Sequence, residues 1–163
     1  YRDQGMDMNL VRTMRAAYYA CISFIDYNVG RILAALEAEG ILDDTLILYT
    51  SDHGEMLGDY NCYGKRSFLD PSARVPLLAR YPERFRAGHE CDTPVSLVDI
   101  LPTCLAAAGL TPTDDHDGAD LAALAGGNTN RQAVIGQFSE GARGVYMLVT
   151  REHKYVYSAA DSR

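Results

Sequence analysis

Apolar residues recur at Leu10, Met14, Ala17, Cys21, Ile25, Val29, Ile32 and Leu36. That three-to-four spacing predicts one long helix from Leu10 to Glu39, with Arg12, Arg15, Arg31, Glu37 and Glu39 on the other faces. Gly40 follows as a natural C-terminal stop, and residues 1–9 read as irregular. A different pattern begins after the short link Ile41-Leu42-Asp43-Asp44. Leu46, Ile47, Leu48, Tyr49 and Thr50 run without a polar break, as in a strand buried on both faces of a parallel sheet. Residues 55–73 have no sustained period and read as a long irregular loop, a length that in a compact domain usually signals function. Residues 74–81 predict another strand, ended by Pro82. Ser96 and Asp99 are spaced as a capping box before a short helix over 100–108, where Pro102 fits only in the first turn. Residues 111–120 are turn-rich, and 121–125 suit a single helical turn. The last third is β-prone at 133–138, 145–150 and 154–157, with a hairpin connection at 151–153.

The expected architecture is therefore α/β. A parallel-sheet portion runs to about residue 110, and 111–163 form a linker and an incomplete antiparallel subdomain.

Composition narrows the function. The chain has 163 residues, 47% of them hydrophobic, and a net charge of −7. An acidic chain without a basic stripe argues against a nucleic-acid partner. No run of apolar residues is long enough for a membrane span. Cys21, Cys62, Cys91 and Cys104 form no CxxC pair, so buried free thiols are expected rather than a zinc ribbon or a disulfide framework. The compartment stays open.

The strand at 46–50 ends in Ser51-Asp52-His53-Gly54. In open α/β sheets chemistry collects at the carboxyl ends of strands. A carboxylate and an imidazole there look like half of a metal site. Successive strand residues point to opposite faces, so the backbone must leave β geometry at Ser51 or Asp52 for both to face one ion. Gly54 and Gly58 ease that departure. Two ligands do not complete a hard-cation shell, since calcium takes six to eight oxygens and magnesium an octahedron. Lys65, beside Gly64, is a candidate for binding a sulfate or phosphate oxygen, against the plainer reading of a solvated surface lysine. Asp70 and Arg74 could pair across the loop, and Glu55 and Asp59 are supporting acids or plain surface charge. Asp26 reads as a hydrogen-bonded structural residue. His89, His116 and His153 lie in loops, and the Asp114-Asp115-His116-Asp117 run reads as solvated. Tyr18, Tyr19, Tyr155 and Tyr157 read as packing residues.

These residues in combination resemble the sulfatase family of the alkaline-phosphatase superfamily. The resemblance rests on Thr50 through Asp59, then Gly64-Lys65, then Ser72 through Leu78. Flanking support comes from Tyr18-Tyr19-Ala20, Val29 through Leu33, Val95 through Thr103, Ala108-Gly109-Leu110 and Thr150-Arg151 with Lys154-Tyr155-Val156. It implies part of an alkaline-phosphatase-like sheet sandwiched by helices, with a small C-terminal antiparallel sheet. It also implies sulfate-ester hydrolysis by a formylglycine made from Cys or Ser in a CxPxR or SxPxR motif. By resemblance Asp52 and His53 hold a divalent cation, calcium first, with manganese or magnesium as alternatives, and Lys65 contacts the sulfate oxygens.

The departures are equally specific. No CxPxR or SxPxR motif occurs, the upstream acidic ligands are absent, and Tyr60 stands where many relatives carry His. The expectation is thus an internal to C-terminal piece of a sulfatase whose formylglycine lies upstream, inactive by itself. A phosphonate monoester or phosphodiester hydrolase of the same superfamily is the first alternative. A non-catalytic binding module is the second. An exposed sheet edge would allow homo-oligomerisation.

Overall fold

The computed structural model describes residues 5–111, 115–127 and 129–161. Part of the expected irregular start (1–4) and Asp114 of the acidic loop lie outside the described residues. The chain is mixed α/β and divides into two compact units, Tyr1–Ala79 and Arg80–Arg163.

The first unit begins with α1, Met8–Ala38, of 31 residues. It starts two residues before the first periodic apolar position because Asp7 caps it. The Asp7 carboxylate accepts from the backbone N–H groups of Asn9 (2.9 Å) and Leu10 (3.4 Å). At the other end Gly40, at φ +69°, takes the left-handed conformation that closes the helix. Its N–H donates to the Glu37 carbonyl, and that of Ile41 to the Leu36 carbonyl.

The helical period was legible, but the burial it implied is not found. Val11 is the buried residue of α1, whereas Leu10, Ile25 and Ile32 are 54%, 48% and 61% exposed. The described residues of this unit supply no layer over that face. The same holds for β1, Ile47–Thr50, which pairs with β2, Leu77–Arg80, in a two-stranded sheet. Tyr49 is exposed, so β1 is not buried on both faces as expected. The segment 55–73 is not wholly irregular. It contains a 3-10 turn, Asp59–Asn61, and a one-turn helix α2, Asp70–Ala73, with Pro71 near its start. Asp70 and Arg74 do pair, at 3.9 Å, but within one helical turn rather than across the loop.

In the second unit a 3-10 turn, Leu97–Asp99, leads into α3, Ile100–Ala107, followed by α4, Leu121–Ala125. Asp99 accepts from the Ser96 N–H at 2.8 Å, as the capping-box spacing predicts, and its role is wider. It is fully buried, and it also accepts from Ala119 N–H (2.8 Å) and from Arg131 Nη1 (2.6 Å). Thr103, also fully buried, donates to the Asp99 carbonyl and accepts from Leu121 N–H. Leu121 and Leu124 complete this small core. A buried carboxylate is tolerable here because it is paired and its lone pairs are used.

Three antiparallel strands follow: β3, Ala133–Phe138; β4, Val145–Thr150; and β5, Lys154–Ser158, in the order β3-β4-β5. Ala133 faces Thr150 and Val145 faces Ser158. The 151–153 hairpin is closed by Thr150 N–H donating to the His153 carbonyl at 2.8 Å. Cross-strand partners Tyr146 and Tyr157 stack with centroids 6.3 Å apart. Tyr18, Tyr19 and Tyr155, expected to pack, are exposed instead. The cysteines are free as expected but not buried: Cys21, Cys91 and Cys104 are exposed and Cys62 is half-buried. No described helix is long and apolar enough to cross a membrane.

Asp99→Ala leaves the Arg131 guanidinium half of a buried pair unanswered, and is expected to destabilise the second unit by about 3–5 kcal/mol. Asp92→Ala breaks the exposed ion pair with Arg151 and should cost about 1 kcal/mol or less. Denaturant midpoints of the two variants check the contrast.

Candidate functional site

Strand β1 stops at Thr50 and the chain bends at Asp52. The Ser51 hydroxyl donates to the His53 carbonyl at 2.7 Å, and the His53 N–H donates to Asp52 Oδ1 at 3.0 Å. These short-range bonds turn the backbone out of β geometry, so two adjacent side chains meet on one side. Asp52 Oδ2 lies 3.2 Å from His53 Nε2. Lys65 Nζ also contacts His53 Nε2.

The imidazole is fixed from behind. His53 Nδ1 lies 2.8 Å from the Gly54 carbonyl. A carbonyl only accepts, so Nδ1 carries the hydrogen and Nε2 in the neutral ring presents its lone pair. Nε2 can then accept from the Lys65 ammonium. Asp52 Oδ2 and His53 Nε2 become two lone-pair donors side by side, an arrangement that calls for positive charge next to it. Ligands at about 2.0–2.6 Å from a hard cation, set at right angles, stand about 2.8–3.7 Å apart. The observed pair has that spacing, so these residues fit part of a cation's shell. They are not a whole shell: among the described residues no three His, Cys, Asp or Glu side chains are grouped to hold a metal. The Asp52 side chain is 80% exposed and that of His53 36%, leaving both reachable.

The loop that returns Lys65 to His53 is held by its own polar groups. Gly54 N–H donates to the Ser72 carbonyl at 2.8 Å. The strands of chain run so close that a Cβ on Gly54 would lie 2.0 Å from the Pro71 carbonyl oxygen. Ser72, 2% exposed, donates from its hydroxyl to the Lys65 carbonyl at 2.5 Å. Glu55 Oε1 accepts from Gly64 N–H at 2.6 Å and from Leu57 N–H at 3.3 Å. Met56 N–H donates to the Gly64 carbonyl, with the Met56 side chain buried.

Helix α1 supplies the outer anchor. Arg15 Nε donates to the Leu57 carbonyl at 2.9 Å, and its Nη2 pairs with Asp59 at 2.7 Å. Val11, one turn earlier, sits where Gly58 (φ +89°) leaves room: a Cβ there would come within 3.1 Å of Val11 Cγ1. The three residues singled out from the sequence are thus brought together. Glu55 has its partners within the loop, and Asp59 pairs with Arg15 of α1. Arg15 and Ser72 were not singled out. Only the four-residue spacing of Val11 and Arg15, which puts both on one helix face, hinted at a shared neighbour. His89 Nε2 lies 3.1 Å from the Ala125 carbonyl, and His153 joins the 150–153 turn through its backbone alone.

Comparison with known proteins shows the family. The sulfatase family profile matches residues 2–110. The chain is 37% identical to choline-sulfatase of Rhizobium meliloti (strain 1021), over 99% of this chain and 32% of that protein. It is 33% identical to an arylsulfatase of Clostridium perfringens, over 95% of this chain and 35% of the other. Among solved structures, a phosphonate monoester hydrolase from Silicibacter pomeroyi superposes with a TM-score of 0.83 at 30% identity, covering 93% of this chain and 34% of that one. The chain spans about a third of the length of the curated relatives it matches.

Gly54→Ala has no space for its methyl group against Pro71 backbone and should cost about 1–3 kcal/mol. Thermal unfolding checks the cost, and faster amide exchange of residues 54–65 checks its location. Arg15→Met, which keeps the aliphatic stem, should raise exchange at Leu57–Asp59 with little change in β1.

Proposed function

The chain belongs to the sulfatase family, and from that premise we propose that the protein carrying it hydrolyses sulfate esters with the help of a divalent cation. The observation that supports this is the convergence of Asp52 Oδ2, His53 Nε2 and Lys65 Nζ at one point on the surface. Asp52 and His53 would hold the cation, calcium first and manganese or magnesium as alternatives. When bound, such a cation supplies charge stabilisation at the sulfate oxygens and lowers the barrier to attack on sulfur.

The remaining work falls to this chain's own groups. The Gly54 carbonyl keeps His53 in the tautomer whose Nε2 carries the lone pair; that lone pair faces Lys65 Nζ here, so Lys65 would have to shift for Nε2 to coordinate. The His53 N–H holds the Asp52 carboxylate in place. Lys65 brings a positive charge to the same spot and neutralises the anionic ester. The nucleophile of this reading is the family's formylglycine, and this sequence contains no CxPxR or SxPxR motif that would supply it.

A second reading, hydrolysis of phosphonate monoesters, is favoured by the 0.83 TM-score to an enzyme of that name. Both ester classes present an anionic tetrahedral centre to a cation and a lysine, so turnover decides between them.

The whole protein should hydrolyse an aryl sulfate faster than an aryl phosphonate ester; the reverse order would favour the second reading. Lys65→Ala should lower kcat/KM by about 10²–10³. Asp52→Ala and His53→Ala should each lose bound cation by metal analysis as well as activity. The isolated 163-residue chain should show no turnover, and robust aryl sulfate hydrolysis by it would refute the dependence on an upstream nucleophile.

A further inference from the structure

A cleft of about 460 Å³ opens on the far side of Lys65, walled by Met56, Cys62, Tyr63, Arg66 and Leu69 among others. Lys65 belongs to both places: it reaches His53 and it lines this cleft. The cleft has an unusual charge for this chain. The protein carries seven more acidic than basic residues, 22 Asp and Glu against 15 Lys and Arg. Yet no carboxylate lines the cleft, and two adjacent cations do. Arg66 is exposed and its guanidinium has no hydrogen-bond or ion-pair partner among the described residues. Tyr63, Met56 and Leu69 give the cleft an apolar side against which a ring could lie.

We propose that this cleft is a second anion subsite, in which Arg66 binds a further sulfate or carboxylate group on the organic part of the substrate while Lys65 attends the ester being cleaved. The inference rests on the sulfate-ester reading above and narrows it to esters with at least two anionic groups. A guanidinium suits this task because its planar donors match a sulfate or carboxylate in pairs. Lys65 and Arg66 both line this one cleft, so two anionic groups on one sugar or aryl ring could meet both cations. The same pair of cations disfavours an ester whose organic part is a quaternary ammonium, since like charges would meet in the cleft.

The test uses the whole protein with two ring-matched substrates, a glucosamine monosulfate and a glucosamine disulfate. Equilibrium binding is measured by calorimetry and turnover by sulfate release. The disulfate is expected to bind at least tenfold more tightly. Arg66→Met should remove that advantage while leaving monosulfate affinity and kcat within about twofold, and Arg66→Lys should restore part of it. Equal affinity for the two ligands in the unaltered protein overturns the subsite. So does an Arg66→Met variant that weakens both ligands alike, or neither. Preferential disulfate binding that depends on Arg66, without turnover of either ligand, would support the subsite and refute the hydrolase reading.

Discussion

The site depends on one close approach of backbone to backbone, that of Gly54 to Pro71 and Ser72. The Gly54 N–H meets the Ser72 carbonyl at 2.8 Å, and the space where a side chain would stand is filled by the Pro71 carbonyl oxygen. Both ends of the 54–72 segment are thereby brought together. Ser72 then ties Lys65 through its main-chain carbonyl, so that a lysine twelve residues along from His53 reaches the same nitrogen. Without the close approach, a loop of this length would spread its ends among many separations. Glycine at position 54 is thus a requirement of packing rather than of an unusual dihedral angle.

The second unit solves a similar problem by burial. Asp99 gathers Ser96, Ala119 and Arg131, and Thr103 bridges Asp99 to Leu121. Three segments separated in sequence, around 96–103, 119–121 and 131, are joined by one carboxylate and one hydroxyl. In the first unit the polar joints range from buried Ser72 to half-exposed Arg15 and Asp59, and they seat Lys65 beside His53. In the second they lie inside and serve the fold. The difference follows from solvent access: a buried charge must be fully answered, whereas an exposed pair such as Asp52 and His53 keeps capacity for a ligand.

Much of this was legible before the coordinates. The helix, the strand before the Asp52-His53 pair, and all three C-terminal strands follow from periodicity, because each rests on a local rule of side-chain spacing. The pair drew attention because it follows a strand, where chemistry collects in open α/β sheets, and the turn bond between His53 N–H and Asp52 is the plainer use of the acid. What the sequence hid was tertiary. Val11 is buried while Leu10 and Ile32 are not, and no period tells these apart. Arg15 looked like any helical surface cation, but its guanidinium clasps the Leu57 carbonyl and Asp59, 42 and 44 residues away. Asp99 was recognised as a cap, while its pairing with Arg131 depends on a contact across 32 residues.

The fastening of residues 54–72 has a consequence for how such proteins diversify. Nearly all its ties lie inside the segment, and only Val11 and Arg15 reach it from α1. A stretch that carries its own fasteners behaves as a cassette. Residues facing the cleft, such as Tyr63 and Arg66, can be exchanged without disturbing the bonds that seat Lys65 against His53, because neither takes part in them. The cleft lining can therefore drift while the Asp52, His53 and Lys65 arrangement beside it stays put.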